Sequence, residues 1–566
     1  MKSAMTTLAT IAALLGVSMS TGCQRSTTLE TWWVDSLVKI FPDTRPERTQ
    51  GEPQLVAVRN QHVSLQLAVR SSLAVRNLTA NLAPLTSSNG DRIESASVRP
   101  VGYVPVAWHT TDTPAEERVG EAPGWFPDPL LDFPLDLPPQ QTHSLWISIR
   151  VPEKATGLYR GTLEITSGTQ SLARQDFLLT VRAATVPHDR SLKVTNWFSL
   201  GETISRQFYG LQVYSEEWWQ LVENVAQVLA QHRQNVILTP VLDLVEVRLQ
   251  GGQLRYDFAR FDRWVETFRR AGAIGYLEGT HLLGRTGGYE TPLAVGLYAL
   301  SRHGKPERLS LPPDDPRVGT FLSSFLPALN QHLEEKGWKE IYLQHILDEP
   351  HGAEPPYYGR IAEYVRRHLP GVRTIDAVDA AHLPQEVQKY CDIWVPLLGR
   401  FDDKLQGLQE RVQSGREVWF YTCLFPTGKY PNRLIDYPLL KVQLLHWLNF
   451  RHGLAGFLHW GGNHWTPDPM KATQPIINEN TTLLPAGDAF IVYPDRPNKS
   501  IRSSIRLEIM REGIEDYELL KLLSCRRPER AAELARQAIP ELTDYVRTPT
   551  AFRKIQSDLI DQLDGL

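Results

Sequence analysis

Cysteine is scarce in this sequence, which holds only Cys23, Cys391, Cys423 and Cys525 in 566 residues. None of the four stands in a Cys-x-x-Cys or Cys/His spacing, which excludes zinc sites of the finger or ribbon type. We interpret the three that follow residue 23 as buried thiols, two of which could form one disulfide in an oxidising compartment.

An excess of charge of either sign is also lacking, because 60 Lys and Arg residues face 64 Asp and Glu residues. A net charge of -4 gives no basic field for holding a phosphate backbone, so we expect no nucleic acid partner. Long apolar runs are missing beyond the N-terminus, where no stretch approaches the roughly 20 apolar residues of a membrane span. We therefore expect the body of the chain to be soluble.

The N-terminus has the pattern of an export signal, with Lys2 placed before an apolar run from Leu8 to Val17. The segment STGC at 20–23 follows and resembles a bacterial lipobox. Cleavage before Cys23 and acylation of its thiol would anchor the protein to a bacterial membrane, facing the periplasm or the cell surface. Ser20 stands where lipoboxes usually carry Leu, so ordinary secretion is the alternative. We predict a lipoprotein signal peptide at residues 1–23.

Apolar and polar side chains alternate over much of the segment from about 50 to 185. Period-two runs between turn residues indicate half-buried antiparallel strands, and clear examples are 63–69, 145–151 and 177–181. The stretch 105–139 breaks this pattern with repeated Pro, Asp and Gly, which predicts a long loop. We predict a β-sandwich domain at residues 24–187.

Past Pro187 the pattern changes to short apolar runs that alternate with segments of helical period. The predicted strands are 194–200, 235–241, 274–279, 341–348, 373–378, 391–398, 416–424 and 455–461. Eight β/α units favour a closed (β/α)8 barrel of TIM type at residues 188–525. An open doubly wound sheet is the alternative, but no Gly-rich phosphate loop follows the first strand. Residues 526–566 are predicted to be a short helical tail.

Asp348 and Glu349 follow the fourth predicted strand and precede Pro350. Active sites of such barrels lie at the C-terminal ends of the strands, where a buried charge needs a partner or a shifted pKa. Neighbouring side chains on a strand point to opposite faces, so both acids can face the barrel mouth only if the chain turns there. Two adjacent carboxyls would separate their pKa values into one acid and one base, as glycoside cleavage requires.

Other strand ends offer polar and aromatic side chains that could contact a sugar. The eighth strand leads into WGGNHW at 460–465, where Gly461 and Gly462 thin the backbone beside the predicted lumen. We take as candidate substrate contacts Trp460, Asn463, His464, Trp465, Tyr421, His281, Glu278 and Asp376. Each of them could equally be a structural hydrogen-bond partner or, for Trp, a core residue.

The chain resembles glycoside hydrolase family 123 in several segments. These are LDEP at 347–350, the WGGNHW cluster, RLEIMREGIEDYE at 506–518 and the turn GLYRG at 157–161. The resemblance implies an exo-acting enzyme that releases terminal β-linked N-acetylgalactosamine from oligosaccharides of glycosphingolipids or glycoproteins, with no metal or organic cofactor. It assigns Glu349 as the general acid and later base. It assigns Asp348 to hold the 2-acetamido group, whose carbonyl oxygen attacks the anomeric carbon with retention through an oxazolinium intermediate.

Two alternatives remain at the level of the sequence. The first is a retaining glycosidase of other specificity that uses a separate carboxylate, Glu278 or Asp379, as its nucleophile. The second is a surface lipoprotein that binds glycans without cleaving them. The sequence predicts no oligomeric state.

Overall fold

The computed structural model describes residues 29–46, 51–380, 382–401, 407–477 and 482–564. The predicted signal peptide and Cys23 lie outside these ranges. Within them, no helix combines the length and the apolar composition that crossing a membrane requires.

The N-terminal domain consists almost entirely of strands. They are β1 (Leu29–Asp35), β2 (Gln54–Arg59), β3 (His62–Ser71), β4 (Val75–Leu82), β5 (Leu85–Ser87), β6 (Arg92–Ile93), β7 (Ala96–Val106), β8 (Gly124–Leu130), β9 (Leu135–Leu137), β10 (Thr142–Arg150), β11 (Gly157–Ser167) and β12 (Gln170–Thr185). One sheet has the order β1-β3-β10-β7-β8, and the other has the order β2-β12-β11-β4-β9 with β5 and β6 at its side.

Both sheets contribute to one apolar core. Leu67 and Ile147 face it from the first sheet, and Leu163 and Leu179 face it from the second. The alternation in the sequence thus places every second side chain inside. The prediction of a loop over 105–139 is wrong in part, because β8 and β9 lie within it. Strand β8 pairs with β7 and buries Phe126, so its apolar residues are used in packing despite the flanking prolines.

The C-terminal domain contains the remaining strands of the described residues. They are β13 (Lys193–Asn196), β14 (Val236–Thr239), β15 (Glu246–Gln250), β16 (Gln253–Asp257), β17 (Tyr276–Gly279), β18 (Leu283–Arg285), β19 (Leu293–Leu300), β20 (Pro306–Leu311), β21 (Tyr342–Gln344), β22 (Arg373–Val378), β23 (Ile393–Pro396), β24 (Trp419–Tyr421), β25 (Gly456–His459), β26 (Ile476–Ile477), β27 (Thr482–Leu483), β28 (Tyr493–Asp495) and β29 (Ser500–Arg502).

Each of the eight strands predicted from the sequence coincides with one observed strand; β22 has the predicted bounds, and the other seven are shorter than predicted. Five of them form a parallel sheet in the order β14-β17-β21-β22-β23, and three form a parallel sheet in the order β13-β25-β24. Parallel bridges from Trp394 to Val418 and from Leu397 to Tyr421 connect β23 to β24. A backbone hydrogen bond of 3.3 Å from the Asn235 nitrogen to the Val194 oxygen connects β14 to β13.

The helices of the described residues follow the strands. They are α1 (Glu202–Ile204), α2 (Glu216–Gln231), α3 (Val241–Leu244), α4 (Ala259–Ala271), α5 (Pro316–Lys336), α6 (Pro355–His368), α7 (Gln385–Tyr390), α8 (Leu408–Gln413), α9 (Leu439–His452), α10 (Ile505–Ser524), α11 (Pro528–Ala538) and α12 (Pro549–Asp564). Residues at both ends of helix α5 define where it begins and ends. The Asp315 side chain caps its first turn, Pro316 begins it, and Gly337 ends it with φ +67°.

Helix α10 contains the unusual segment 506–518 and is buried along that whole segment. Its charged side chains find partners in other parts of the chain. The Arg506 guanidinium donates to both carboxylate oxygens of Asp128 at 2.8 Å, and Glu515 accepts from Arg233 at 2.7 Å and contacts His62 at 2.7 Å. The helix therefore joins the N-terminal domain to the C-terminal domain through ion pairs that are shielded from water.

Among the cysteines, Cys391 and Cys423 are buried free thiols, as predicted. Cys525 is a free thiol but lies exposed, so its prediction as a buried residue is wrong. It follows the last turn of α10, where the helix leaves the core.

Candidate active site

Asp348 and Glu349 lie in a turn that follows β21. Glu349 has φ +45°, a left-handed conformation that is rare for a residue with a side chain. Its backbone N–H donates to the Ala377 oxygen at 3.1 Å, at the end of the neighbouring strand β22. Because of this turn, both carboxyls line the same cavity, which a regular strand would not allow.

The cavity has a volume of about 410 Å³. Its walls carry aromatic, basic and small residues around the acid pair. The side chains of chemical interest that line it are Asp348, Glu349, Trp197, His281, Arg285, Tyr289, Tyr421 and Trp460. Among the described lining residues, Asp348 and Glu349 are the only carboxylates.

The two carboxyls differ in their hydrogen-bond partners. Burial and the charge of Glu349 together raise the pKa of Asp348 to about 7, against the opposing charge of Arg285. Burial also raises the pKa of Glu349, but the hydroxyls of Tyr421 and Tyr289 donate to this carboxylate and favour its ionised form. Burial thus favours a protonated carboxyl in the pair, and the tyrosine hydroxyls favour the ionised form of Glu349.

A buried network lies beneath the acid pair. His345 contacts Glu278 through Nε2 and Asp376 through Nδ1, both at 3.1 Å. Burial alone would lower the pKa of His345, but hydrogen bonds and charge from the two carboxylates raise it to about 10. Tyr358 donates to Asp376 at 2.8 Å, and Thr195 donates to Glu278 at 2.8 Å. Glu278 and Asp376, candidate substrate contacts in the sequence, are fully buried here and do not line the cavity.

Three side chains of this region have the donor atoms of a metal site. The donor atoms of His281, His345 and Asp376 lie within 4.8 Å of one another. Both ring nitrogens of His345 contact carboxylates, whereas the buried Nε2 of His281 has no hydrogen-bond partner among the described residues. His281, another candidate contact, lines the cavity and has its pKa lowered by burial and by the charge of His345.

Only Trp460 of the WGGNHW cluster lines the cavity, and its Nε1 donates to Asp488 at 3.3 Å. The His464 ring lies 5.4 Å from it and is exposed. The Asn463 side chain makes two hydrogen bonds with the Ser199 backbone: its Nδ2 donates to the Ser199 oxygen at 2.8 Å, and its Oδ1 accepts from the Ser199 nitrogen at 2.9 Å. Trp465 is core: its Nε1 donates to the Val492 oxygen at 2.7 Å. The structure thus assigns Asn463 and Trp465 to the support of the loop.

Gly461 and Gly462 allow two other backbone segments, at 488–489 and 196–197, to approach them closely. A Cβ atom at Gly461 would lie 2.0 Å from the Asp488 oxygen, and one at Gly462 would lie 2.5 Å from the Trp197 oxygen. The Gly462 nitrogen donates to that same Trp197 oxygen at 2.7 Å. These glycines therefore let the backbone at 461–462 pack directly against the backbone at Asp488 and Trp197.

The sequence did not single out Trp197, Arg285, Tyr289 and His345, all of which surround or support the acid pair. Tyr289 and Arg285 flank a Gly-Gly pair at 287–288, after the third strand of the parallel set. This Gly-rich loop between polar and aromatic side chains was the available signal. Asp379, the other alternative nucleophile, contacts Arg400 at 2.6 Å and does not line the cavity.

The chain matches the sequence family described as "Glycoside hydrolase 123, catalytic domain" over residues 197–523. Residues 39–167 match "Glycoside hydrolase 123 N-terminal domain". No curated protein sequence matches the chain significantly.

Among solved structures, a family 123 glycoside hydrolase from Clostridium perfringens superposes with a TM-score of 0.72 at 17% identity. The match covers 95% of this chain and 97% of that one, and that enzyme was studied for hydrolysis of glycolipid glycans. A family 39 glycoside hydrolase from Bacteroides cellulosilyticus WH2 gives a TM-score of 0.33 at 11% identity, covering 82% of each chain. The first likeness shows a shared fold, and the second is too weak to relate the two structures.

Proposed function

Since the chain belongs to glycoside hydrolase family 123, we propose that it releases terminal β-linked N-acetylgalactosamine with retention of configuration, by a substrate-assisted mechanism. The observation that carries this proposal is the adjacent acid pair, Asp348 and Glu349, whose side chains line one small cavity. The substrates that we propose are glycans of glycolipids or glycoproteins, as suggested by the glycolipid glycans hydrolysed by the Clostridium perfringens enzyme.

The absence of a third carboxylate among the described lining residues favours substrate assistance. A retaining enzyme with its own nucleophile holds two carboxyls about 5 Å apart, on either side of the sugar. Here both carboxyls come from consecutive residues, and Glu278 lies buried against His345. The acetamido oxygen of the substrate is then the available nucleophile.

The proton on the pair gives each carboxyl its role. In the free site burial and the charge of Glu349 favour protonated Asp348, while two tyrosine hydroxyls favour the ionised form of Glu349. An acetamido N–H that donates to Asp348 would favour ionised Asp348, and the shared proton would then move to Glu349. Glu349 would protonate the leaving oxygen as the acetamido oxygen closes on the anomeric carbon. It would later accept a proton from the water that opens the oxazolinium ring.

The shape of the site favours a single terminal sugar. A cavity of about 410 Å³ is at the lower end of the usual range for ligand sites, and its walls include the indoles of Trp197 and Trp460. Aromatic faces of this kind pack against the apolar face of a sugar ring. We therefore propose cleavage from the chain end, without a metal or organic cofactor.

We also propose the fold description that matches this function. The eight parallel strands, with the bridges between β23 and β24 and the contact between β14 and β13, are consistent with a (β/α)8 barrel at 188–525. The two sheets around one core are consistent with a β-sandwich at 24–187, and α11 and α12 with a helical tail at 526–566. The acid cavity would then lie at the C-terminal face of the barrel.

The cellular location is a separate proposal that depends on the N-terminal sequence. We propose that Cys23 is acylated and anchors the protein to a bacterial membrane. Labelling with a fatty-acid analogue, in the wild type and in Cys23→Ala, tests it. Label that persists in the variant would refute the anchor, and label lost together with release from the membrane would support it.

Hydrolysis of 4-nitrophenyl β-N-acetylgalactosaminide and β-N-acetylglucosaminide by the protein without residues 1–23 tests the activity. We expect turnover of the first substrate, and losses of at least about 100-fold in Glu349→Gln and Asp348→Asn. Glu216→Gln is the control, because Glu216 pairs with Arg263 on the surface, and Asp379→Asn tests the alternative nucleophile. Loss of activity in Asp379→Asn with trapping of a 2-fluoro sugar on Asp379 would favour an enzyme nucleophile. If the effect of the protein on its glycan is unchanged in Glu349→Gln, this would favour glycan binding without catalysis.

A further inference from the structure

Arg285 forms a forked ion pair with Glu354 beside the acid cavity. Its Nε donates to Oε1 at 2.9 Å and its Nη2 donates to Oε2 at 2.7 Å. Only 9% of the Arg285 side chain and 14% of the Glu354 side chain are exposed. A bidentate pair with this little exposure fixes the orientation of the guanidinium plane as well as its position.

The same guanidinium contacts both loops that hold Glu349. Its Nη2 donates to the Glu349 carbonyl oxygen at 3.3 Å and lies 3.1 Å from Nδ1 of His351. Its centre lies 4.5 Å from the centroid of the Tyr289 ring, and that ring stacks on His351 at 4.3 Å. One side chain thus ties the loop from 285 to 289 to the loop from 349 to 354.

The left-handed turn at Glu349 needs such support. A non-glycine residue with φ +45° is strained, and it keeps this conformation only if its surroundings hold it. The Glu349 N–H is held by the Ala377 oxygen, and the Glu349 carbonyl contacts Arg285 Nη2 at 3.3 Å and His351 Nδ1 at 3.0 Å. We propose that Arg285, fixed by Glu354, is a positioning residue that holds the Glu349 carboxyl at the Tyr421 and Tyr289 hydroxyls. This inference rests on the proposed role of Glu349 as the acid.

The charge of Arg285 also acts on the acid pair. Experiment can separate this effect from that of the bidentate geometry of the guanidinium. The titratable groups that surround it are Asp348, Glu349, Glu354, Tyr289, His351 and His281. Its charge lowers the pKa of Asp348 and of Glu349 against the effect of burial. Arg285→Lys keeps the charge but loses the fork, whereas Arg285→Gln loses both.

Crystal structures of Arg285→Lys and Glu354→Gln test the positioning directly. We expect the Glu349 carboxyl to leave the Tyr421 hydroxyl in both variants, because each breaks the same ion pair. A Glu349 turn and a Tyr421 contact that stay unchanged in both variants would overturn the proposal. This readout needs no turnover, so it decides the role of Arg285 even if the wild type cleaves none of the aryl glycosides and the proposed function fails.

Kinetics provide the second test. We expect Arg285→Lys and Glu354→Gln each to lower kcat about 10- to 100-fold with little change in KM, and the double variant to be no slower than either. Arg360→Lys is the control, because Arg360 pairs with Asp314 on the exposed side of α6. Arg285→Gln, but not Arg285→Lys, should move the alkaline limb of the pH profile upward. A wild-type kcat in folded Arg285→Lys would overturn the proposal. If Arg285→Lys does not fold, a wild-type kcat in Glu354→Gln would overturn it instead.

Discussion

The hydroxyl of Tyr421, at the end of β24, donates a hydrogen bond to Oε1 of Glu349. Tyr421 is buried and lines the acid cavity, so its contact with the carboxylate is shielded from solvent. A donor to the ionised carboxylate lowers the pKa of Glu349, and it opposes the increase that burial causes. The acid pair is therefore tuned by its partners, and each partner can be removed separately.

Tyr421→Phe removes this donor and leaves the ring in place. We expect kcat to fall about 10- to 100-fold, because a hydrogen bond to a charged group contributes about 1.5 to 3 kcal/mol. The alkaline limb of the pH profile should move upward, since the pKa of Glu349 rises when it loses a donor. Rates measured from pH 5 to 9 check both effects. An unchanged profile with normal kcat would show that the hydroxyl has no part in tuning the acid.

The shared proton predicts a pH dependence of activity in the wild type. Burial raises the pKa of Asp348 to about 7 and also raises that of Glu349. The rate should fall above about pH 7, because the pair then loses the proton that the leaving group needs. We expect Glu349→Gln to lose this limb together with its activity. A rate that stays level up to pH 9 would contradict the assignment.

The same shift predicts the stability of a variant. A carboxyl whose pKa is raised from 3.8 to about 7 in the folded state binds more protons when folded, so stability falls as the pH rises between these values. Asp348→Asn removes that loss, and we expect it to melt at a higher temperature than the wild type at pH 8. At pH 4 the two proteins should melt at similar temperatures, which is the internal control.

Much of this fold could be predicted from the sequence because local patterns decide it. The eight parallel strands were predicted from short apolar runs that alternate with segments of helical period. Strand ends were less predictable: the strand expected to reach Asp348 ends at Gln344, since the chain turns before the acid pair. Asp348 and Glu349 were found because their place after an apolar strand was unusual.

The rest of the site depends on contacts between distant residues. Arg285 meets Glu354 across 69 positions, and no periodicity in the sequence links them. Glu278 and Asp376 were chosen as carboxylates at strand ends, but His345 from the strand between them engages both below the cavity. Asn463 and Trp465 were chosen by composition, and their partners at Ser199 and Val492 come from other segments.

Gly462→Ala tests how closely the backbone at Gly462 packs against Trp197, which lines the cavity. Its Cβ would lie 2.5 Å from the Trp197 oxygen, where only a shift of the backbone could make room. We expect a loss of about 1 to 3 kcal/mol in the free energy of unfolding and a clear loss of activity. Gly284→Ala is the control, since Gly284 lines the acid cavity and a Cβ there meets no atom within 4 Å. Equal behaviour of the two variants would argue against the close approach.

The ion pairs of α10 predict how the protein responds to acid. Burial alone would raise the pKa of Glu515, but the charges of His62 and Arg233 lower it from 4.5 to about 2. The unfolded chain then binds more protons between these values, so the stabilisation is complete above pH 4.5 and is lost as the pH falls toward 2. Removing one partner of a buried ion pair costs about 3 to 5 kcal/mol.

Glu515→Gln should therefore lower the free energy of unfolding at pH 7 by about this amount, as measured by urea denaturation. Its stability should also fall less steeply than that of the wild type between pH 4.5 and 2. Glu216→Gln is the matched control, because the ion pair of Glu216 with Arg263 lies on the surface and contributes little. If both variants lost the same small amount, the buried contacts of α10 would not hold the two domains together.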